Sequence, residues 1–146
     1  AAAGPPSARG IPEKGESAPA PPAWAGALIG QPLRAQFPKT GECKGNTDNA
    51  EFRFTGAEPG VQVAGWGWDV PKKARVDRVV LVDRDMRIVG AGEGGLPRPD
   101  VPRALPEIAD PNTGWKAVTK LTAGPVDAYG LVGDGDAVCV LGHLEF

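Results

Sequence analysis

The chain is expected to fold as an all-β protein: a two-sheet antiparallel sandwich of Ig-like or jelly-roll type, with about eight strands and one long proline-rich loop. Three observations lead there. Short runs that alternate apolar and polar residues, or that concentrate β-branched ones, recur at close spacing from residue 33 to the end. Clusters of Gly, Pro, Asn and Asp separate them. No stretch keeps a helical period for longer than a turn or two.

Residues 1–22, AAAGPPSARGIPEKGESAPAPP, read as a disordered Pro/Ala-rich tail or linker. They offer no periodic apolar face to offset the entropy of ordering. Residues 23–146 are then a single domain. Ala23–Ile29 reads as a short helical turn or an edge strand, with Trp24 packing the N-terminal segment onto the domain. Leu33–Phe37 reads as a strand, Pro38–Asn49 as a loop rich in turn formers, and Ala50–Thr55 as a strand with Phe52 and Phe54 on one side. Glu58-Pro59-Gly60 turns the chain into Val61–Val70, VQVAGWGWDV. In that strand Ala64, Trp66 and Trp68 share one face, and Val63, Gly65, Gly67 and Asp69 the other. Two adjacent indoles need a cover, and at least one is expected to face the opposite sheet.

Arg75–Asp83, RVDRVVLVD, is the strongest β signal, and Met86–Ala91 returns beside it as a hairpin. Gly92–Gly114 is the long irregular connection, because prolines at 97, 99, 102, 106 and 111 forbid a continuous ladder. Asp100 is placed to cap one short helical turn over Val101–Leu105. Trp115–Thr122, Val126–Val132 and Ala137–Leu141 complete the strands, the last two joined by a tight turn at Asp134-Gly135. Loops as long as 92–114 are uncommon and often carry function.

Composition narrows the chemistry. A net charge of −2 gives no electrostatic case for nucleic acid. No run reaches the roughly 18–20 apolar residues of a membrane helix. The two serines, Ser7 and Ser17, both lie in the tail, which excludes a serine-histidine-aspartate apparatus inside the domain. One histidine, His143, and two cysteines, Cys43 and Cys139, cannot make a four-ligand zinc site, and no metal or cofactor is expected. The Asp83/Asp85 and Asp134/Asp136 pairs are explained as turn chemistry, since neither continues into a calcium loop. A disulfide joining Cys43 to Cys139 is the preferred reading, the alternative being two buried free thiols in a cytosolic protein. It would close a loop of nearly a hundred residues, worth up to about 4.7 kcal/mol in the chain-entropy model. The only methionine is Met86, so the chain is expected to be a processed or excised product rather than one beginning at its start codon.

The run GWGWD, then VDRVVLVDRDMRIVGAG, LPRPDV, NTGW and a closing AYGLVGDGDAVCVLG resembles the soluble C-terminal domain of bacterial, particularly alphaproteobacterial, multipass membrane proteins of the glycosyltransferase type. The tryptophan strand with its following valine-rich strand is also similar to bacterial Ig-like surface modules. The resemblance covers roughly residues 33–146. It implies a periplasmic or extracellular accessory domain, disulfide-bonded through Cys43 and Cys139 and attached by the Pro/Ala linker to a membrane part. That family's catalytic residues lie in the membrane part, so no catalytic residue carries over.

The expected function is therefore non-catalytic: binding glycan, or positioning a glycan-handling membrane partner. The candidate sugar-binding residues surround the long loop. Trp115 supplies an indole on which the apolar face of a sugar can stack, while Asn112, Asp110 and Asp100 bind hydroxyls. A structural subunit of a membrane-associated assembly is the alternative. A glycoside hydrolase is the third reading, and would need two acids facing one another across a cleft.

Overall fold

The computed structural model describes residues 10–146. The strands are β1 (Glu13–Lys14), β2 (Lys39–Thr40), β3 (Cys43–Phe54), β4 (Gly60–Asp69), β5 (Ala74–Arg75), β6 (Arg78–Val82), β7 (Ile88–Leu96), β8 (Gly114–Thr119), β9 (Val126–Val132) and β10 (Ala137–Leu144). The all-β class stands, but the strands form one open sheet, not the two of a sandwich. Its order is β1-β3-β4-β8-β7-β6-β9-β10-β2, with β5 added to β4. Hydrogen bonding runs unbroken through the antiparallel middle, β4-β8-β7-β6-β9, so no gap separates two layers.

The sheet covers its own inner face by curling until β3 and β10 meet. Among the described residues no ladder pairs these two strands. A Cys43–Cys139 disulfide joins them, with Cα atoms 5.8 Å apart across 96 residues of sequence. Beside it Thr47 Oγ1 donates to the Leu141 carbonyl at 3.1 Å. Gly142 lies against Thr47 so closely that a Cβ there would sit 3.0 Å from Thr47 Oγ1. Of the two short parallel strands, β2 pairs with β10 next to Cys139, and β1 pairs with the far end of β3 at Arg53 and Phe54.

Alternation along the strands fills the enclosed core. Val61 and Val63 of β4, Val79 and Leu81 of β6, Trp115 and Ala117 of β8, and Cys139 and Leu141 of β10 all point into it. The tryptophan strand is oriented opposite to the expectation. Its Val/Gly/Asp69 face is buried, while Trp66 and Trp68 are half-buried on the outer face. The glycines explain why. A Cβ on Gly65 would lie 2.6 Å from Trp115 Cζ2 and 2.1 Å from the Asn46 carbonyl oxygen. The inner face of β4 is bare at Gly65 because the single interior indole, Trp115, occupies that space.

A second apolar cluster sits on the outside of β6, β7 and β9. The segment 23–37 lays Ala25, Leu33 and Phe37 against Val80, Val82, Ile88 and Tyr129. β6 is therefore buried on both faces, which is why Val79–Val82 is a continuous apolar run. Leu33–Gln36 is a helical turn rather than a strand; Leu33 and Phe37, one turn apart, share its buried side. Trp24 does pack this segment down, with the Arg78 guanidinium 4.9 Å from its ring.

Other boundaries also differ. The disordered-tail expectation over 1–22 does not describe residues 10–22. Their backbone pairs with β3 at Glu13↔Arg53 and Lys14↔Phe54, and Ala18 N donates to the Glu58 carbonyl at 2.7 Å. Residues 1–9 lie outside the described residues. Most of the expected loop 38–49 is the first half of β3, whose polar outer positions hide the strand. β7 runs on to Leu96, and the short helix is Asp100–Ala104 with Pro99, not Asp100, at its N-cap position. The β9–β10 turn places its positive φ angles at Gly133 and Gly135, with Asp134 between them.

Candidate functional site

The outer face of β3, β4 and β8 carries the candidate site. Register places Asn46, Trp66 and Gly114 side by side across these three strands. Lys44, Trp68 and Arg75 form the next row, across β3, β4 and β5.

The proline-rich segment 97–113 is held over this face. Its base is closed by Arg98 N donating to the Pro111 carbonyl at 2.7 Å. The turn at that base is fixed by Asn112 N donating to Asp110 Oδ1 at 2.8 Å. Val101 and Ile108 are the loop's buried apolar residues. Three ion pairs pin it to the sheet: Arg98–Asp48 at 2.5 Å, Lys44–Glu107 at 3.4 Å and Arg75–Asp110 at 3.7 Å. Lys44 and Arg75 flank Trp68 in the register, so the loop supplies the cover that the two outer indoles require.

Arg98 is the hub. Its Nε and Nη2 donate to the two oxygens of Asp100 at 3.0 and 2.9 Å, the fork geometry a guanidinium favours. Its Nη1 reaches Asp48 on β3. The hydrogen bonds to Asp100 first, and to Asp48 next, raise the Arg98 pKa above its ordinary value, and the same contact lowers that of Asp100.

Beside Arg98 opens a cleft of about 370 Å³. Its floor is Ala64, Gly65 and Gly114, small residues that leave room. Asp48, Asn49 and Glu51 of β3 form one wall, and Pro97, Arg98 and Lys116 the other. Glu51 accepts from Gln62 Nε2 at 3.1 Å and pairs with Lys116 Nζ at 3.3 Å. Amide, carboxylate, ammonium and guanidinium groups thus converge over a floor without bulk, the arrangement that orients a small polar ligand.

The expected sugar residues are placed differently. Trp115 is only 1 % exposed, so its ring offers no face for stacking; it is a core residue that bounds the cleft from beneath Gly65. Asp110 and Asn112 shape the loop's turn, and Asp110 pairs with Arg75. Only Asp100 is tied to the cleft, through Arg98. The groups missed were Asp48, Asn49, Glu51, Arg98 and Lys116. The one available signal for them was Lys116, a cation in the outward register next to an inward Trp115. Among the described residues, no cluster of three or more His, Cys, Asp or Glu could hold a metal ion.

No protein-family model, curated protein or solved structure matches the chain. The disulfide fits an oxidising compartment, extracellular or periplasmic. No helix among the described residues is long and apolar enough to cross a membrane.

Proposed function

We propose that this chain is a non-catalytic accessory domain of the periplasm or extracellular space that binds glycan in the cleft beside Arg98. In that role it positions a glycan-handling membrane partner, either a separate protein or a membrane part of the same polypeptide. The observation that carries the reading is the convergence of Asp48, Asn49, Glu51, Arg98 and Lys116 over the Ala64/Gly65/Gly114 floor. Such a rim hydrogen-bonds hydroxyls, and the flat floor admits a sugar ring.

The alternative, a purely structural subunit, would be favoured by a contiguous apolar surface. Among the described residues the one exposed large hydrophobic is Val140, at 63 %; an isolated valine is ordinary surface. The hydrolase reading needs acids on opposite walls, whereas Asp48 and Glu51 rise from the same strand, each paired with a cation.

The test is titration with a panel of cell-envelope oligosaccharides, followed by tryptophan fluorescence, since Trp66 borders Gly114 in the cleft floor. Saturable quenching that is lost in Lys116→Ala supports the proposal. Silence across a broad panel rejects sugar binding.

A further inference from the structure

A second cleft lies between the N-terminal arm and strands β7 and β8, away from Arg98. Its volume is about 360 Å³, at the small end of the roughly 300–1,000 Å³ of ligand pockets. Pro19 and Pro21 form one side, Ile29, Val89 and Val118 the rest of the apolar wall, and Lys120 stands at its edge. No carboxylate lines it. The salt bridges of the described residues do not include Lys120, whereas the two cations of the Arg98 cleft are both held by acids.

We propose that this cleft is a binding site for a short aliphatic carboxylate. The alkyl chain lies against the prolines, Ile29, Val89 and Val118, and the carboxylate pairs with Lys120 Nζ. Two features select this ligand class. Apolar walls gain by removing methylenes from water, in proportion to the area they bury. The edge supplies a single positive charge with no acid beside it, so an anion is attracted and a cation is not. The site does not depend on the glycan reading, because the two clefts share no lining residue.

Gly26 makes a clean test possible. It lines the cleft, and a Cβ built on it meets nothing within 4 Å, so a side chain can be started there without a clash. The probes are decanoate and decyltrimethylammonium, each titrated calorimetrically below its micelle concentration. Decanoate is expected to bind saturably at one site, with decyltrimethylammonium about tenfold weaker or undetectable. Lys120→Glu should weaken decanoate by about tenfold or more, and Gly26→Leu should abolish binding while the melting temperature stays near that of the parent. Arg98→Ala should leave decanoate binding unchanged. Absence of saturable binding overturns the proposal. So does equal affinity for the cationic probe, or decanoate binding that survives in both Lys120→Glu and Gly26→Leu.

Discussion

Two segments cover the outside of this curled sheet, and they are held by opposite chemistry. The segment 23–37 is attached by apolar burial: Ala25, Leu33 and Phe37 disappear against Val80, Val82 and Ile88. Backbone bonds support it, Gly30 N to the Ile88 carbonyl at 2.7 Å and Leu33 N to that of Met86 at 2.9 Å. The segment 97–113 buries Val101 and Ile108 and takes one backbone bond at its end, Gly67 N to the Thr113 carbonyl at 3.0 Å, but its side-chain cross-links to the sheet are ion pairs whose side chains are from about a quarter to just over a half exposed. The difference teaches where adaptability lies. Apolar burial is insensitive to screening, whereas partly exposed pairs are worth about 0–1 kcal/mol each and weaken with salt. The polar cleft sits at the base of the cover held by charge, the side on which local opening costs least.

The disulfide underlies both covers, and its loss should have the largest effect. With no ladder between β3 and β10, replacing Cys43 and Cys139 by alanine removes the covalent closure of the sheet. Stability should fall by about 2–5 kcal/mol, measured by urea unfolding, with both covers losing protection together. A change below about 1 kcal/mol would mean that side-chain packing at Thr47 and Leu141 closes the sheet unaided.

The next two changes separate the covers. Leu33→Ala opens a cavity under the apolar one and should cost about 2–5 kcal/mol. Arg98→Ala frees the base of the ionic one and should cost about 1 kcal/mol, while raising acrylamide quenching of Trp66 and Trp68. Quenching that rises after Leu33→Ala and not after Arg98→Ala would reverse the assignment of the cover.

The smallest effect belongs to neither cover. His143 lies between Glu145 and Asp127, its ring nitrogens 2.5 and 2.6 Å from their oxygens. Those hydrogen bonds, Glu145's first, raise its pKa above 6.5. Two flanking carboxylates are both satisfied only by the imidazolium. The contribution to stability is therefore complete below the unfolded value and is lost as pH rises through the folded one. An NMR titration of the imidazole should give a midpoint above 6.5. A slight fall in melting temperature over that interval should vanish in His143→Gln; a midpoint at or below 6.5 would contradict the clasp.

Much of the strand content was legible because alternation and valine density are local signals: β6, β8, β9 and β10 are found near where their residues place them. The Cys43–Cys139 bond was legible by elimination of other uses for two cysteines. The facing of β4 was not. Period two assigns residues to two faces without saying which is inside, and the large indoles seemed the natural choice. What decided it was volume inside a curled sheet already holding Trp115, a long-range fact that leaves only glycines as its trace. The first half of β3 was hidden for a related reason. Its outward residues are polar or charged because they meet the charged loop, so CKGNTDN reads as a turn. Two of the cleft residues, Asp48 and Asn49, lie in that stretch, so nothing local marks them as neighbours of Lys116 and Arg98.

Native-state hydrogen exchange at low and high salt tests the contrast between the covers most directly. Raising the salt from about 0.1 M to 1 M shortens the screening length from about 10 Å to 3 Å. Amide protection across 98–113 is predicted to fall, while that across 24–37 holds or increases. Protection that falls equally in both segments, or in 24–37 alone, would contradict a molecule with one cover held by charge and the other by apolar burial.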